Sequence, residues 1–213
     1  MTYIENIFLC LALPMLLSLL FTSGSSRRFT LFVVLGMATC LLSAYVSSFF
    51  MGRHQCSAVT TAIEIAPVCE EILKLLPLLL YFLIFEPDSH KLTPAAIGIA
   101  VGFATFENVC YLTENGAGSF VFLLIRGMSA GALHLVCGIL TGLALAYVFR
   151  RPWLTCTGTV GILGVCMVLH GIYNLLITAD GFWQMVGYFF PSAIIATLFA
   201  TSLLHRGRHT VFR

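Results

Sequence analysis

Residues 119–149 read SFVFLLIRGMSAGALHLVCGILTGLALAYVF, an apolar run that holds a single formally charged residue, Arg126. About 20 apolar residues cross the hydrocarbon core of a bilayer, so this stretch reads as a membrane-spanning helix. Similar runs lie on either side of it, broken at polar or charged connectors. They predict spans near 3–22, 29–51, 57–85, 92–113, 119–149, 154–178 and 182–204. The third and fifth exceed what a bilayer needs, which implies tilt, kinks or interfacial extensions. Pro67 and Pro77 are expected to bend the third. The fold class that follows is all-α: a polytopic transmembrane bundle of about seven spans.

Composition supports this reading. Of 213 residues, 59% are hydrophobic and 9% charged, and mean hydropathy is +0.98. A soluble domain carries roughly 25% charged residues. The spans use up the length, so residues 1–213 are read as one membrane-embedded domain. Its core is expected at about 57–178, with peripheral spans at 3–22, 29–51 and 182–204. The net charge of +2 is not laid out as a patch for nucleic acid, and the lipid bilayer is the expected surrounding. The eight cysteines form no CxxC pair. They read as small buried hydrophobes rather than a disulfide framework. The N-terminal run lacks a basic leader and is read as a retained span.

Basic residues set the expected orientation. Arg27, Arg28, Lys91, Arg150, Arg151, Arg206, Arg208 and Arg213 fall on one side, and Arg53 alone on the other. This puts the N-terminus outside and the C-terminus in the cytoplasm. Small residues recur at four-residue spacing in Gly98/Gly102, Gly127/Gly131 and Gly138/Gly142. Such spacing lets helices approach closely in lipid. Spans four and five are therefore expected at the centre, and spans one, two and seven, which lack buried charge, at the outer wall.

A charge in mid-membrane costs about 2.5–3.5 kcal/mol on insertion scales. Span three nevertheless carries Glu64, Glu70, Glu71 and Lys74, span four Glu107, and span five Arg126. His134 lies in span five and His170 in span six. Confinement to four consecutive spans points to one shared polar site. Glu70 and Lys74, Phe103 and Glu107, and His170 and Asn174 are each four apart and share helix faces, with Asn108 beside Glu107. Counting along the spans brings these groups to mid-depth or slightly toward the extracytoplasmic side.

Two carboxylates and two histidines meet the needs of water activation. A glutamate can take a proton from water and return it to a leaving amine. Histidines can bind a metal or donate to an oxyanion. His134, His170 and Glu107 are the candidate ligands if a metal is bound, and zinc suits such a set. Blander roles exist for each group. Glu70, Glu71 and Lys74 can form a structural ion pair, Glu107 and Asn108 can join helices by hydrogen bonds, and Arg126 can neutralise a buried acid. Glu64 lies nearer the outer end and reads as structural or solvent-facing. Tyr111, Tyr147, Trp153 and Trp183 read as interfacial aromatics. Two other functions fit a buried polar cluster: a proton-coupled transporter, or a non-catalytic scaffold.

Four motifs resemble those of the PrsW family of intramembrane proteases. APVCEEILK (66–74) resembles its EExxK motif and GFATFEN (102–108) its FxxxEN motif. Arg126 to His134, with Gly138 following, is similar to the third, and LHGIYN (169–174) to the fourth, HxxxN. They occur in order across about residues 60–180. The related CAAX prenyl endopeptidase and bacterial CPBP proteases usually carry arginine where this chain has Lys74. The resemblance implies an intramembrane endopeptidase that cuts a membrane-anchored protein, as in the first cut of an anti-sigma factor, in a bacterial inner membrane. It implies catalysis by Glu70, Glu71, His134 and His170, with zinc or with glutamate-activated water alone. Lys74, Phe103, Glu107, Asn108, Arg126 and Asn174 would support them. Either Glu70 or Glu71 is the expected base, and its neighbour should hold Lys74 or Arg126. Asn108 and Asn174 would position water or the substrate carbonyl. The glycine-rich face of spans four and five is a candidate docking surface for substrate.

Overall fold

The computed structural model describes residues 3–85, 88–116 and 118–211, with the backbone alone for residues 89, 115 and 202–211. Among these residues the chain forms seven long helices and no strand. They are α1 (Ile4–Ser18), α2 (Gly24–His54), α3 (Ala66–Phe85), α4 (Ser89–Asn115), α5 (Phe120–Val148), α6 (Thr155–Thr178) and α7 (Phe182–Val211). Short connectors make each helix run opposite to the one before it. Their bounds follow the sequence expectation closely. Arg213 and the side chains of Arg206 and Arg208 lie outside the described residues.

The chain is an integral membrane protein by the length and apolarity of its helices. Five spans qualify outright: α2, α4, α5, α6 with its preceding turn, and α7. The 20 residues of α3 are long enough, but Glu70, Glu71 and Lys74 interrupt their apolarity. At 15 residues, α1 is about 22 Å long and falls short of the roughly 30 Å hydrocarbon core, so it is shorter than the expected first span. The outer surface is apolar on every side, with Leu42, Leu80, Val160 and Phe199 among the exposed side chains.

Backbone approach explains the packing. A methyl group on Gly102 would stand 1.9 Å from the Val33 carbonyl oxygen, and one on Gly36 would stand 2.1 Å from that of Ile99. These glycines let α2 lie directly on α4. Gly138 and Gly142 do the same for α5 on α4, against Ala96, Ala100 and Thr93. Thus α4 is the hub, and α2 is drawn onto it more closely than a place on the outer wall requires. The glycine faces of Gly98/Gly102 and Gly138/Gly142 are already covered by neighbouring helices, which removes them as docking surface. Gly131 has nothing within 4 Å. Two buried clusters flank the polar centre. Phe32, Leu75, Leu78, Leu92, Ile99 and Leu145 fill one end. Ala12, Met37, Phe103 and Phe106 fill the other, where α1 closes over α2 and α4.

The expected break in span three is a π-helical turn, Thr61–Ile65, between Ala58–Thr60 and α3. Pro67 has no N–H to give to residue 63 and its ring would crowd that carbonyl. The wider turn just before it relieves both problems.

Candidate active site

On α3, Glu70 and Glu71 point about 100° apart, and this difference separates their surroundings. Glu71 faces the bundle interior and is 4% exposed. Its Oε1 accepts from Lys74 Nζ at 2.5 Å and from His170 Nδ1 at 2.9 Å. Lys74 Nζ also lies 3.0 Å from His134 Nδ1. An ammonium can only donate, so His134 Nδ1 is the acceptor and its ring proton sits on Nε2. That proton goes to Glu107 Oε2 at 2.6 Å.

From Glu107 the chain of contacts continues along α4 and α5. Arg126 donates to Glu107 Oε1 and to Asn108 Oδ1, both at 3.3 Å, and Asn108 Nδ2 reaches the Gly127 carbonyl at 3.5 Å. Side chains from α3, α4, α5 and α6 are thereby joined in one network. Its charges alternate: Glu71 with Lys74, then Glu107 with Arg126. Pairing of this kind is what makes buried charge tolerable. Phe103 walls the network, with its ring 4.9 Å from that of His134 and 4.8 Å from Lys74 Nζ.

Glu70 stands apart. Its Oε2 is buried and has no hydrogen-bond partner among the described residues. It lies 3.7 Å from His170 Nε2, too far for a hydrogen bond. With its Nδ1 proton given to Glu71, a neutral His170 turns its Nε2 lone pair to the Glu70 carboxylate. Two electron-rich atoms in that relation call for a proton or a cation between them.

The site opens into a cavity of about 290 Å³ whose lining includes Glu70, Glu107, Arg126, Tyr111, Ser43 and Ser47. Ile4, Met51, Thr61 and Glu114 complete its rim. These residues come from the start of α1, the end of α2, the turn before α3 and the end of α4. The cavity therefore opens to one end of the bundle, away from Arg27, Arg28 and Lys91.

The structure brings together Glu70, Glu71, Lys74, Phe103, Glu107, Asn108, Arg126, His134 and His170. Asn174 is placed elsewhere. Its Nδ2 donates to the Ala62 carbonyl at 2.7 Å, inside the π-helical turn, and so tethers α6 to the entry of α3. Glu64 is exposed. Tyr111, read from sequence as interfacial, sits with its ring 4.2 Å from Arg126 Cζ. Its position one turn after Glu107 was the available signal. Sequence reading also passed over Ser129 and Tyr173, whose hydroxyls lie 2.9 Å apart, three residues beyond Arg126 and His170 respectively.

The donor atoms of Glu70, His134 and His170 lie within 4.8 Å of one another. Two imidazoles and a carboxylate suit a divalent metal such as zinc. His170 also has the carboxylate support at its second nitrogen that such ligands commonly receive. Glu70 and His170 offer donor atoms that suit a metal ion, and His134 can join them only by giving up its Nε2 proton to Glu107 or its Nδ1 contact with Lys74. Glu107, the third ligand expected from sequence, is instead engaged by His134 and Arg126. A second group, Glu71 with Cys137 and Cys166, lies beside the Lys74 ammonium, which counts against a cation there.

The family model described as PrsW family intramembrane metalloprotease matches residues 16–202. No curated protein and no solved structure matches the chain.

Proposed function

The chain belongs to the PrsW family of intramembrane metalloproteases, and we propose that it hydrolyses a peptide bond of a membrane-anchored protein with Glu70 at the reacting centre. The observation that carries this reading is the buried, unpartnered Glu70 Oε2 opposite His170 Nε2, on the wall of a cavity open to one end of the bundle. In this reading Glu70 takes a proton from water at Oε2 and returns it to the leaving amine nitrogen. His170, held by Glu71, orients that water by accepting its second proton at Nε2. Glu71 and Lys74 are positioning residues, since they reach the reaction through the two imidazoles.

The grouping of donor atoms favours a second assignment of roles within the same activity. There, Glu70, His134 and His170 would hold the metal that the family's description implies, with zinc suited to the set. Once bound, it would acidify a water and polarise the scissile carbonyl. Glu107, which lines the cavity, would then be the carboxylate that receives the proton.

The basic residues imply that the cavity end is extracytoplasmic, with the N-terminus outside, the C-terminus inside and a bacterial inner membrane as the setting. PrsW-type proteins are known for cutting a membrane-bound anti-sigma factor on its extracytoplasmic side, and such a factor is one substrate of the proposed membrane-anchored class. A substrate helix must unwind locally before its amide can be attacked, because its backbone is already hydrogen-bonded.

The test is cleavage of a membrane-anchored model substrate by the reconstituted protein, with metal content measured alongside. Wild type should cut it, Glu70→Gln should not, and neither should show proton-coupled solute flux. Loss of about one zinc per chain in Glu70→Gln would make Glu70 a ligand, and retention of metal or activity without any metal would make it the base. Cleavage by Glu70→Gln at the wild-type rate would remove Glu70 from the reaction.

A further inference from the structure

At the end of the bundle opposite the catalytic cavity, a second cavity of about 270 Å³ lies where α2 and α4 begin and α3 ends. Ser25, Arg28, Phe29 and Phe32 line it from α2, Tyr81 from α3, and His90, Lys91, Pro94 and Ala95 from α4. Its chemistry is divided. Arg28, Lys91, His90 and Ser25 supply charged and polar donors. Phe29, Phe32, Tyr81 and Pro94 supply apolar wall, with the Phe32 and Tyr81 rings packed edge to face at 5.0 Å. Arg28 has no ionic or hydrogen-bonded partner among the described residues. Lys91 pairs with Asp88 at 2.6 Å, and the hydrogen bond and charge of Lys91 hold the Asp88 carboxyl below its usual range. Among the described residues one positive charge thus remains unbalanced here, before any contribution from His90.

We propose that this cavity binds the headgroup of an anionic phospholipid, with the phosphate against Arg28 and Lys91 and the upper acyl chain along Phe29, Phe32 and Tyr81. An ion alone would use the donors and leave the aromatic wall without a role. A zwitterionic lipid would set its own cation against Arg28. The position fits, because basic pockets between helices at the membrane surface recognise acidic headgroups. The site also touches the three helices α2, α3 and α4 at once, so a bound lipid would brace the α2–α4 contact from the far end. This inference is independent of the peptidase reading.

The experiment is native mass spectrometry of delipidated, detergent-purified protein, titrated with phosphatidylglycerol or phosphatidylcholine. The proteins compared are wild type, the Arg28→Gln plus Lys91→Gln double variant, and Arg27→Gln. Arg27 is exposed and does not line the cavity, so it controls for diffuse surface charge. Wild type and Arg27→Gln should retain phosphatidylglycerol over phosphatidylcholine by about tenfold, and the double variant should lose that preference. Should the double variant not fold, Arg28→Gln alone should weaken the preference about fivefold, as expected for one basic group near the surface. Equal retention of both lipids by wild type would overturn the proposal. So would an equal loss in Arg27→Gln, or displacement of the lipid by millimolar inorganic phosphate, which would make this a site for the free ion.

Discussion

Lys74 Nζ lies 3.0 Å from His134 Nδ1, and this contact decides which nitrogen of the imidazole carries the proton. It also links the Glu71 ion pair on α3 to the Glu107 ion pair reached through α5. Replacing Lys74 by methionine keeps the bulk but leaves Glu71 buried without its cation. Breaking such a pair from one side typically costs about 3–5 kcal/mol. Unfolding of Lys74→Met in mixed micelles should show a loss of that order, and the double variant Glu71→Gln with Lys74→Met should recover much of it. An unchanged Lys74→Met would mean that the pair does not offset the buried charge.

The two adjacent glutamates should separate cleanly in a paired measurement of activity and stability. Glu70→Gln removes a carboxylate with no hydrogen-bond partner at Oε2, so the thermal midpoint should barely move while cleavage falls by about 10²–10⁴-fold, as for loss of a general base. Glu71→Gln removes the acceptor of both Lys74 and His170, so both stability and cleavage should fall. The reverse pattern would exchange their roles.

Close packing gives a third prediction. Gly102→Ala would place a methyl group 1.9 Å from the Val33 carbonyl oxygen, and backbone cannot swing aside as a side chain can. The variant should lose at least about 1–3 kcal/mol, the usual cost of overpacking, in an equilibrium unfolding titration. Gly131→Ala, with nothing within 4 Å, should be neutral or gain up to about 1 kcal/mol of helix propensity. Equal effects at the two positions would contradict the assigned α2–α4 contact.

Native cysteines offer a test of orientation. Cys56 lies between α2 and the turn before α3, at the cavity end, and exposed Cys156 lies at the start of α6, at the opposite end. In variants that keep one or the other, a membrane-impermeant maleimide applied to intact cells should label Cys56 and spare Cys156. Labelling of Cys156 alone would invert the proposed topology.

Much of this arrangement was legible in the chain, for a physical reason. Charges cannot stand alone in lipid, so their confinement to four spans already required that those spans meet. Apolar length set the helix bounds nearly as observed. The rotation of each helix about its own axis was not legible. Whether Glu70 or Glu71 faces inward depends on the turn at Thr61–Ile65 and on packing against α6. Asn174 looked like a polar group of the site, yet its partner is the Ala62 carbonyl, a group available because of that same turn. The close seat of α2 was missed because burial was judged by charge. What seats α2 is the absence of side chains at Gly36 and Gly102.

A single oxygen, Glu71 Oε1, holds both Lys74 of its own helix and His170 of α6. Prying α3 away from α6 would therefore release the His170 imidazole from Glu71 at the moment a substrate arrived. On the proposed mechanism, a polypeptide admitted through that seam would disarm the site. On the same mechanism, entry by way of the catalytic cavity, lined from α1, α2, α3, α4 and Arg126 of α5, would leave the α3–α6 contact shut, so the route of the substrate would follow from where one carboxylate oxygen is anchored.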